Sequence, residues 1–398
     1  MSLSPIISKI EPSITLQITA KASAMKAEGK DVIPLSVGEP SFDTPKHICD
    51  AGVEAIRSGF THYTPASGIL ELKKAVCDKF RRDNDMDFSP SQIVINCGGK
   101  HSVFLAVFSI TAPGDEVIIP APYWVSYPEM VKIAGGVPVI LEATADTGLK
   151  ITAEQLKMAI TPKTKAVFLN SPSNPTGMVY SEEEIRSLME VILDAGLYVI
   201  SDEIYEKLIY DGVRHVSIGS LSDEMYKKTI TVNGVSKAYC MTGWRIGYTA
   251  GPEDVIKAMS KIQSQETSNP CSISQKAALA ALNGSEDFLV EMIEAYDKHR
   301  KYMVDRLNGF DGVECVMPQG AFYVFPDVSG VYGKSCGGEN TIDGSFAFCN
   351  YMLEEQNIAI VPGIGFGADK HVRISSATSM ENIEKALDRF EAGLLALT

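Results

Sequence analysis

Residues 197–205 read Leu-Tyr-Val-Ile-Ser-Asp-Glu-Ile-Tyr. Tyr198-Val199-Ile200 is apolar throughout instead of alternating, the pattern of a strand covered by helices on both faces. The run then ends on Asp202, a carboxylate whose desolvation is costly unless a cation satisfies it. Outward from this stretch the same short β-rich runs recur at Ile93–Asn96, Glu116–Pro120, Ala166–Asn170, Thr229–Asn233 and Ile246–Gly251. Longer helical segments separate them. Ser181, followed by Glu182, Glu183 and Glu184, offers a cap and an acidic first turn ahead of Ile185, Leu188, Val191 and Ile192. Strands alternating with helices predict an α/β fold with a doubly wound sheet.

After about Ser285 the rhythm changes. An amphipathic segment places Phe288, Leu289, Met292, Ile293 and Tyr296 on one helical face. Strand-like Ala321–Phe325, a helix near Ser345–Glu355, strand-like Ile358–Val361 and His371–Ser375, and a helix Met380–Leu397 follow. The first residues hold one amphipathic helix, about Ile14–Glu28, with Gly29 as its stop, and then an extended segment. The expected division is therefore 1–45, an N-terminal segment packing on the C-terminal unit; 46–285, a large unit; and 286–398, a small one. Ser329–Gly344 reads as a surface loop, and no internal repeat is found.

The 398 residues include 45% hydrophobic and 22% charged side chains, which excludes collagenous, disordered and disulfide-scaffold classes. With 36 Lys and Arg against 50 Asp and Glu, the net charge of −14 repels nucleic acid and anionic lipid. An anionic ligand must be caught by a local cationic cluster. Eight scattered cysteines, none at the close spacing of a zinc or redox motif, point to buried free thiols, no metal site and a reducing cytoplasm. Pro5, Lys9, Glu11 and Pro12 interrupt any secretory signal, and no run of about 18 apolar residues occurs.

Three motif matches fail on context. Gly333-Lys334-Ser335 lacks the glycine a P-loop needs at position 328. Ser23-Ala24-Met25-Lys26 lies inside the first amphipathic helix, without the companion motifs of penicillin-binding enzymes. Gly363-Ile364-Gly365-Phe366-Gly367 has the wrong spacing for a dinucleotide fingerprint.

The polar ends of the apolar strands carry the chemistry, because ligands of open α/β sheets bind there. Ile93–Asn96 runs into Cys97-Gly98-Gly99-Lys100 and a helix, presenting free backbone N–H groups to an anion. Ala166–Asn170 runs into Ser171-Pro172-Ser173-Asn174-Pro175-Thr176-Gly177, and Leu197–Ser201 into Asp202 and Tyr205. Thr229–Asn233 leads to Ser236 and Lys237, with Trp244-Arg245-Ile246-Gly247 beyond. Together they call for one ligand bearing a phosphate (Gly98, Gly99, Ser236, Arg245), a cationic ring nitrogen (Asp202), a ring oxygen (Asn174, Tyr205) and a carbonyl for an amine (Lys237). Pyridoxal 5′-phosphate has all four.

On the strings NSPSNPTG, SDEIYE, NGVSKAYCMTGWRIGY and HVRIS, in that order and spacing, the chain resembles the fold-type I pyridoxal-phosphate enzymes, specifically the class I aminotransferases. The likeness covers nearly its whole length. It implies a large domain with a mostly parallel seven-stranded sheet, a smaller α+β domain, and transamination by ping-pong chemistry. It makes Lys237 the lysine of the internal aldimine and the proton shuttle, its pKa lowered by the neighbouring Arg245. Asp202 becomes the partner of the pyridine nitrogen, Asn174 and Tyr205 the partners of the ring hydroxyl, and Trp124 the stacking aromatic, with Tyr123 as its alternative. Arg373 would hold the substrate α-carboxylate together with the Gly38 backbone. Tyr63 resembles the tyrosine lent to the neighbouring subunit's phosphate, which implies a homodimer with shared sites.

An Arg that vertebrate-type aspartate aminotransferases place shortly before Ser-Asn-Pro is absent ahead of Ser268-Asn269-Pro270. Lys100, with Thr15 and Ser13, is similar to the bacterial branch that also acts on prephenate. The expected substrates are aspartate or glutamate with 2-oxoglutarate, oxaloacetate or prephenate, Lys100 meeting the distal carboxylate. Alternatives are an aminotransferase for aromatic or neutral amino acids, a C–S lyase, or a non-catalytic ligand sensor of the aminotransferase type. No basic helix-turn-helix supports the last.

Overall fold

The computed structural model describes residues 4–335 and 341–398. Cys336 and the middle of the 329–344 loop lie outside the described residues. Twelve strands run in chain order: β1 Ile33–Pro34, β2 Ile93–Asn96, β3 Glu116–Ala121, β4 Val137–Glu142, β5 Thr164–Asn170, β6 Tyr198–Asp202, β7 Thr229–Gly234, β8 Gly247–Ala250, β9 Tyr323–Val324, β10 Ile358–Ala359, β11 Val361–Pro362 and β12 Val372–Ser375. Seven form one sheet in the order β2-β8-β7-β6-β5-β3-β4. Within it β8 alone runs antiparallel to its neighbours, β2 and β7.

Side chains alternate across this sheet into two separate cores, which explains why its strands do not alternate in polarity. Val117, Ile119, Phe168, Ile200 and Val232 pack on one face. Ile118, Val167, Leu169 and Val199 pack on the other. Both faces are dry, each fully buried side chain contributing about 1.5–3 kcal/mol by leaving water. The helix Glu182–Asp194 starts as the sequence indicates, with Ser181 and Glu184 closing a reciprocal cap. The strand overlooked in the sequence is β4, which lies at the sheet edge with Val137 and Ile140 exposed. Val137-Pro138-Val139-Ile140-Leu141 is an apolar run, but the proline at its second position demotes it as a strand, and prolines within sheets are confined largely to edges.

The C-terminal part builds a three-stranded antiparallel sheet, β11-β12-β9. The extended segment after the first helix (Ile14–Ala27) joins it through β1, which pairs in parallel with β10. Ile18, Ala22 and Met25 of that helix pack on Leu353 and Ala359. The helix Phe288–Leu307 spans two cores: Leu289, Met292 and Tyr296 pack with residues of the large sheet's flank, while Met303, Val304 and Leu307 pack with β12 and the helix Met380–Leu395. Among the described residues no helix is long and apolar enough to cross a membrane.

Candidate active site

The carboxyl ends of β5, β6 and β7 open, with the turn after β2, into a cavity of about 400 Å3. Asp202, the last residue of β6, lies on its floor, 6% exposed. Its carboxylate accepts from the Tyr127 hydroxyl at 2.7 Å and from the Ile204 N–H at 3.3 Å. Burial pushes its pKa up to about 6, the Tyr127 bond opposing. Among the described residues no cationic side chain is bonded to it. Such a carboxylate is poised for a cation.

Lys237 follows β7 and donates from Nζ to the Gly38 carbonyl at 2.6 Å. Its pKa falls to about 8, through desolvation first and the charge of Arg373 second. The sequence reading credited Arg245 with this effect. Arg245 contributes, but less than burial and Arg373, because Arg373 is itself only 3% exposed and poorly screened. Asn174 reaches the same cavity from the loop after β5, where the Asn170 side chain accepts from its N–H at 2.8 Å. Tyr205 lines it one turn beyond Asp202, its ring 5.7 Å from Lys237 Nζ.

Gly98 and Gly99 lead into the helix Gly99–Ile110, whose first N–H groups are free for an anion. Two of its glycines, Gly98 and Gly247, are required by geometry. Gly98 has φ +91°, and a Cβ there would collide with the Arg245 guanidinium. A Cβ on Gly247 would lie 2.5 Å from the Gly98–Gly99 backbone. Gly99, Ser236 and Arg245 border the cavity here, whereas Gly98 stands just behind it. Arg245 donates to the Thr242 carbonyl at 2.6 Å.

Lys100 stands at the cavity mouth with Nζ 5.0 Å from the Trp124 ring, its pKa lowered by desolvation and then by Arg245. Ser13 and Thr15 border the same mouth. Trp124 lines the cavity, while Tyr123 turns away toward Gly367, where a Cβ would lie 2.7 Å from its ring. Arg373, on β12, donates to Asn174 Oδ1 at 3.0 Å and to the Ser36 carbonyl at 2.7 Å. Gly38 lies beside it, an added Cβ falling 3.9 Å from Arg373 Nη2. Tyr63 does not reach the cavity of its own chain; it is 91% exposed.

Among the lining residues that the sequence reading did not assign are two tyrosines. Tyr127 holds Asp202 and stacks on Phe168, ring centres 4.3 Å apart. Tyr323, on β9, lies under Arg373. Tyr127 stands in the same short string as Trp124, and that proximity was the one available signal; Tyr323 reads as an ordinary apolar strand residue.

The model of the family described as aminotransferase class I and II matches residues 30–390. The chain belongs to that family. Among curated relatives of this aminotransferase, the aspartate aminotransferase of Bacillus sp. (strain YM-2) is 50% identical, over 97% of either chain. The aspartate/prephenate aminotransferase of Cereibacter sphaeroides is 48% identical, over 98% of either. Among solved structures, the aspartate aminotransferase of Rhizobium meliloti covers all of both chains at 46% identity with a TM-score of 0.96. That of Thermus thermophilus with maleate gives 0.93 at 42% identity, covering 99% of this chain and 100% of that one.

Class I and II aminotransferases of this kind depend on pyridoxal 5′-phosphate. The residues present fit it. Asp202 supplies a buried carboxylate for a ring cation, the Gly98 turn packed against Gly247 a tight backbone cradle, and Lys237 an amine near neutrality. Gly247→Ala should lower affinity for pyridoxal phosphate by about tenfold or more, since the cradle backbone must move to admit the methyl group. Equilibrium dialysis with the cofactor alone checks this.

Proposed function

We propose that this aminotransferase moves the amino group of an acidic L-amino acid, aspartate or glutamate, to 2-oxoglutarate, oxaloacetate or prephenate, one substrate at a time in one pocket. The observation that carries the reading is that, with Lys237 and Arg245 set aside for the cofactor, the pocket holds two further cations, Arg373 and Lys100, neither bonded to a carboxylate among the described residues. Two unpaired cations suit a ligand with two carboxylates. The names of the relatives at about half identity agree with this choice.

Each residue's part follows from its surroundings. Arg373, its planar fork fixed by Asn174 and Ser36, takes the α-carboxylate with the Gly38 backbone beside it. Lys100, with Thr15 and Ser13, takes the distal carboxylate at the mouth. Lys237 Nζ is partly neutral near pH 8, so it can accept the proton from the substrate's Cα and hold it for return. Asp202 would keep the ring nitrogen of the cofactor protonated, Asn174 and Tyr205 would hold its ring oxygen, and Trp124 would stack on it and keep water out. Pyridoxal phosphate, when bound, supplies the carbonyl carbon that takes the amine and a ring that takes up the electron pair.

Incubating the holoenzyme with single amino acids and 2-oxoglutarate tests the reading. Aspartate should yield glutamate and oxaloacetate well ahead of alanine. Release of ammonia and pyruvate would mark a lyase instead. Lys100→Ala should cut kcat/KM for aspartate by about 10–100-fold and leave alanine nearly unchanged, as expected for loss of one charged contact. An unchanged ratio of the two substrates would remove Lys100 from the distal subsite.

The same reading includes a homodimer in which each Tyr63 serves the other chain's phosphate, supported by the exposure of that ring. Sedimentation should give a dimer, and Tyr63→Phe should weaken cofactor binding. It also includes the three-part division at 45 and 285, and a cytoplasmic location, supported by the free state of all seven described cysteines.

A further inference from the structure

We propose that Tyr323 is a positioning residue that couples the grip on the substrate's α-carboxylate to the hydrogen-bonding power of Tyr205 at the cofactor's ring oxygen. The proposal rests on the aminotransferase reading above.

Tyr323 is driven into the cavity by its chain neighbours. The N–H groups of Gln319 and Gly320 both donate to the Gly177 carbonyl, at 2.9 and 2.7 Å. A Cβ on Gly320 would lie 2.6 Å from the Pro172 ring. This presses the start of β9 onto the loop that carries Asn174, with Ala321 bent into the left-handed region at φ +57°. Tyr323 then pairs with Ser375 of β12. Arg373, two residues from Ser375, projects from the same face of β12 and meets Tyr323 diagonally.

Two contacts give the residue its role. The Arg373 guanidinium carbon lies 4.5 Å from the Tyr323 ring centre and 5.2 Å from that of Phe366. The guanidinium thus has two rings against it while it donates to Asn174 and Ser36, and Nε has no partner. The Tyr323 hydroxyl lies 2.8 Å from that of Tyr205. It also defines the space at Gly38, where an added Cβ would come within 3.0 Å of it.

A phenol has a single proton. If Tyr205 gives its own to the cofactor's ring oxygen, the hydrogen between the two hydroxyls is the one on Tyr323. Tyr323 therefore donates to Tyr205, polarises it and strengthens its bond onward. Burial holds both phenols above their ordinary pKa, so neither loses its proton at working pH. One side chain thus orients Arg373 with its ring and tunes Tyr205 with its hydroxyl.

The two contacts separate by substitution. In the holoenzyme Tyr323→Phe keeps the ring and loses the hydroxyl. The pKa read from a pH titration of the bound cofactor's absorbance should rise by about 0.5–1 unit, the size of one neutral hydrogen bond. Affinity for maleate, a dicarboxylate probe, should stay within about threefold. Tyr323→Leu loses both contacts and should weaken maleate binding by about 10–30-fold. Tyr205→Phe with and without Tyr323→Phe should give the same absorbance pKa, because the hydroxyl of Tyr323 acts only through Tyr205. An unmoved pKa in Tyr323→Phe, additive shifts in the double variant, or full maleate affinity in Tyr323→Leu overturns this proposal alone. A wild-type protein that binds no pyridoxal phosphate overturns the aminotransferase reading and this one with it.

Discussion

Lys237→Ala should leave a folded protein whose transamination is slower by a factor on the order of 10^4 or more, near the upper end of what a general acid–base group contributes. Folding should survive because Lys237 makes no ion pair among the described residues and its ammonium is already disfavoured by burial. Activity should not, because no other amine approaches the floor of the cavity. Lys100 stands at the mouth beside Trp124 and the phosphate cradle. The rate with aspartate and 2-oxoglutarate, set against an unchanged melting curve, checks both halves. Transamination within tenfold of wild type would remove Lys237 from the chemistry.

The second large effect has opposite signs for stability and activity. Asp202 has a folded pKa of about 6 against an ordinary 3.8, so the folded state disfavours its charged form. That cost is complete above about pH 6 and fades as pH falls through the window down to about 4. Asp202→Asn keeps the bond from Tyr127, gives up the longer one from the Ile204 N–H and removes the charge. At pH 8 it should stabilise the cofactor-free protein by on the order of 2 kcal/mol, measured by urea unfolding. At pH 4 the gain should vanish. The same change should lower turnover of the holoenzyme by about 10^3-fold, since a carboxylate is needed to hold the ring nitrogen protonated. A variant less stable at pH 8, or one that turns over normally, would contradict the reading of Asp202.

Legibility followed the strength of local constraint. Asp202, Lys237, Asn174 and the Gly98–Gly99 turn were readable because each ends an apolar run where a polar residue needs a reason. β4 was not, because Pro138 stands inside its apolar run and argues against a strand, which the sheet tolerates here because β4 is an edge. Tyr127 and Tyr323 were hidden for another reason: a buried tyrosine satisfies a core pattern whichever way its hydroxyl points, and only tertiary structure shows that the two hydroxyls meet Asp202 and Tyr205. The origin of the low Lys237 pKa was misassigned on similar grounds. Arg245 is near in sequence, but Arg373, 136 positions further along the chain, is the stronger charge.

The bond from Arg373 to the Ser36 carbonyl joins points 337 residues apart. During synthesis the segment holding Ser36 leaves the ribosome early and must wait for nearly the whole chain before its partner exists. Until β12 exists the Ser36 carbonyl lacks this donor, so the segment after the first helix is fastened to the C-terminal part only when almost all of the polypeptide has been made.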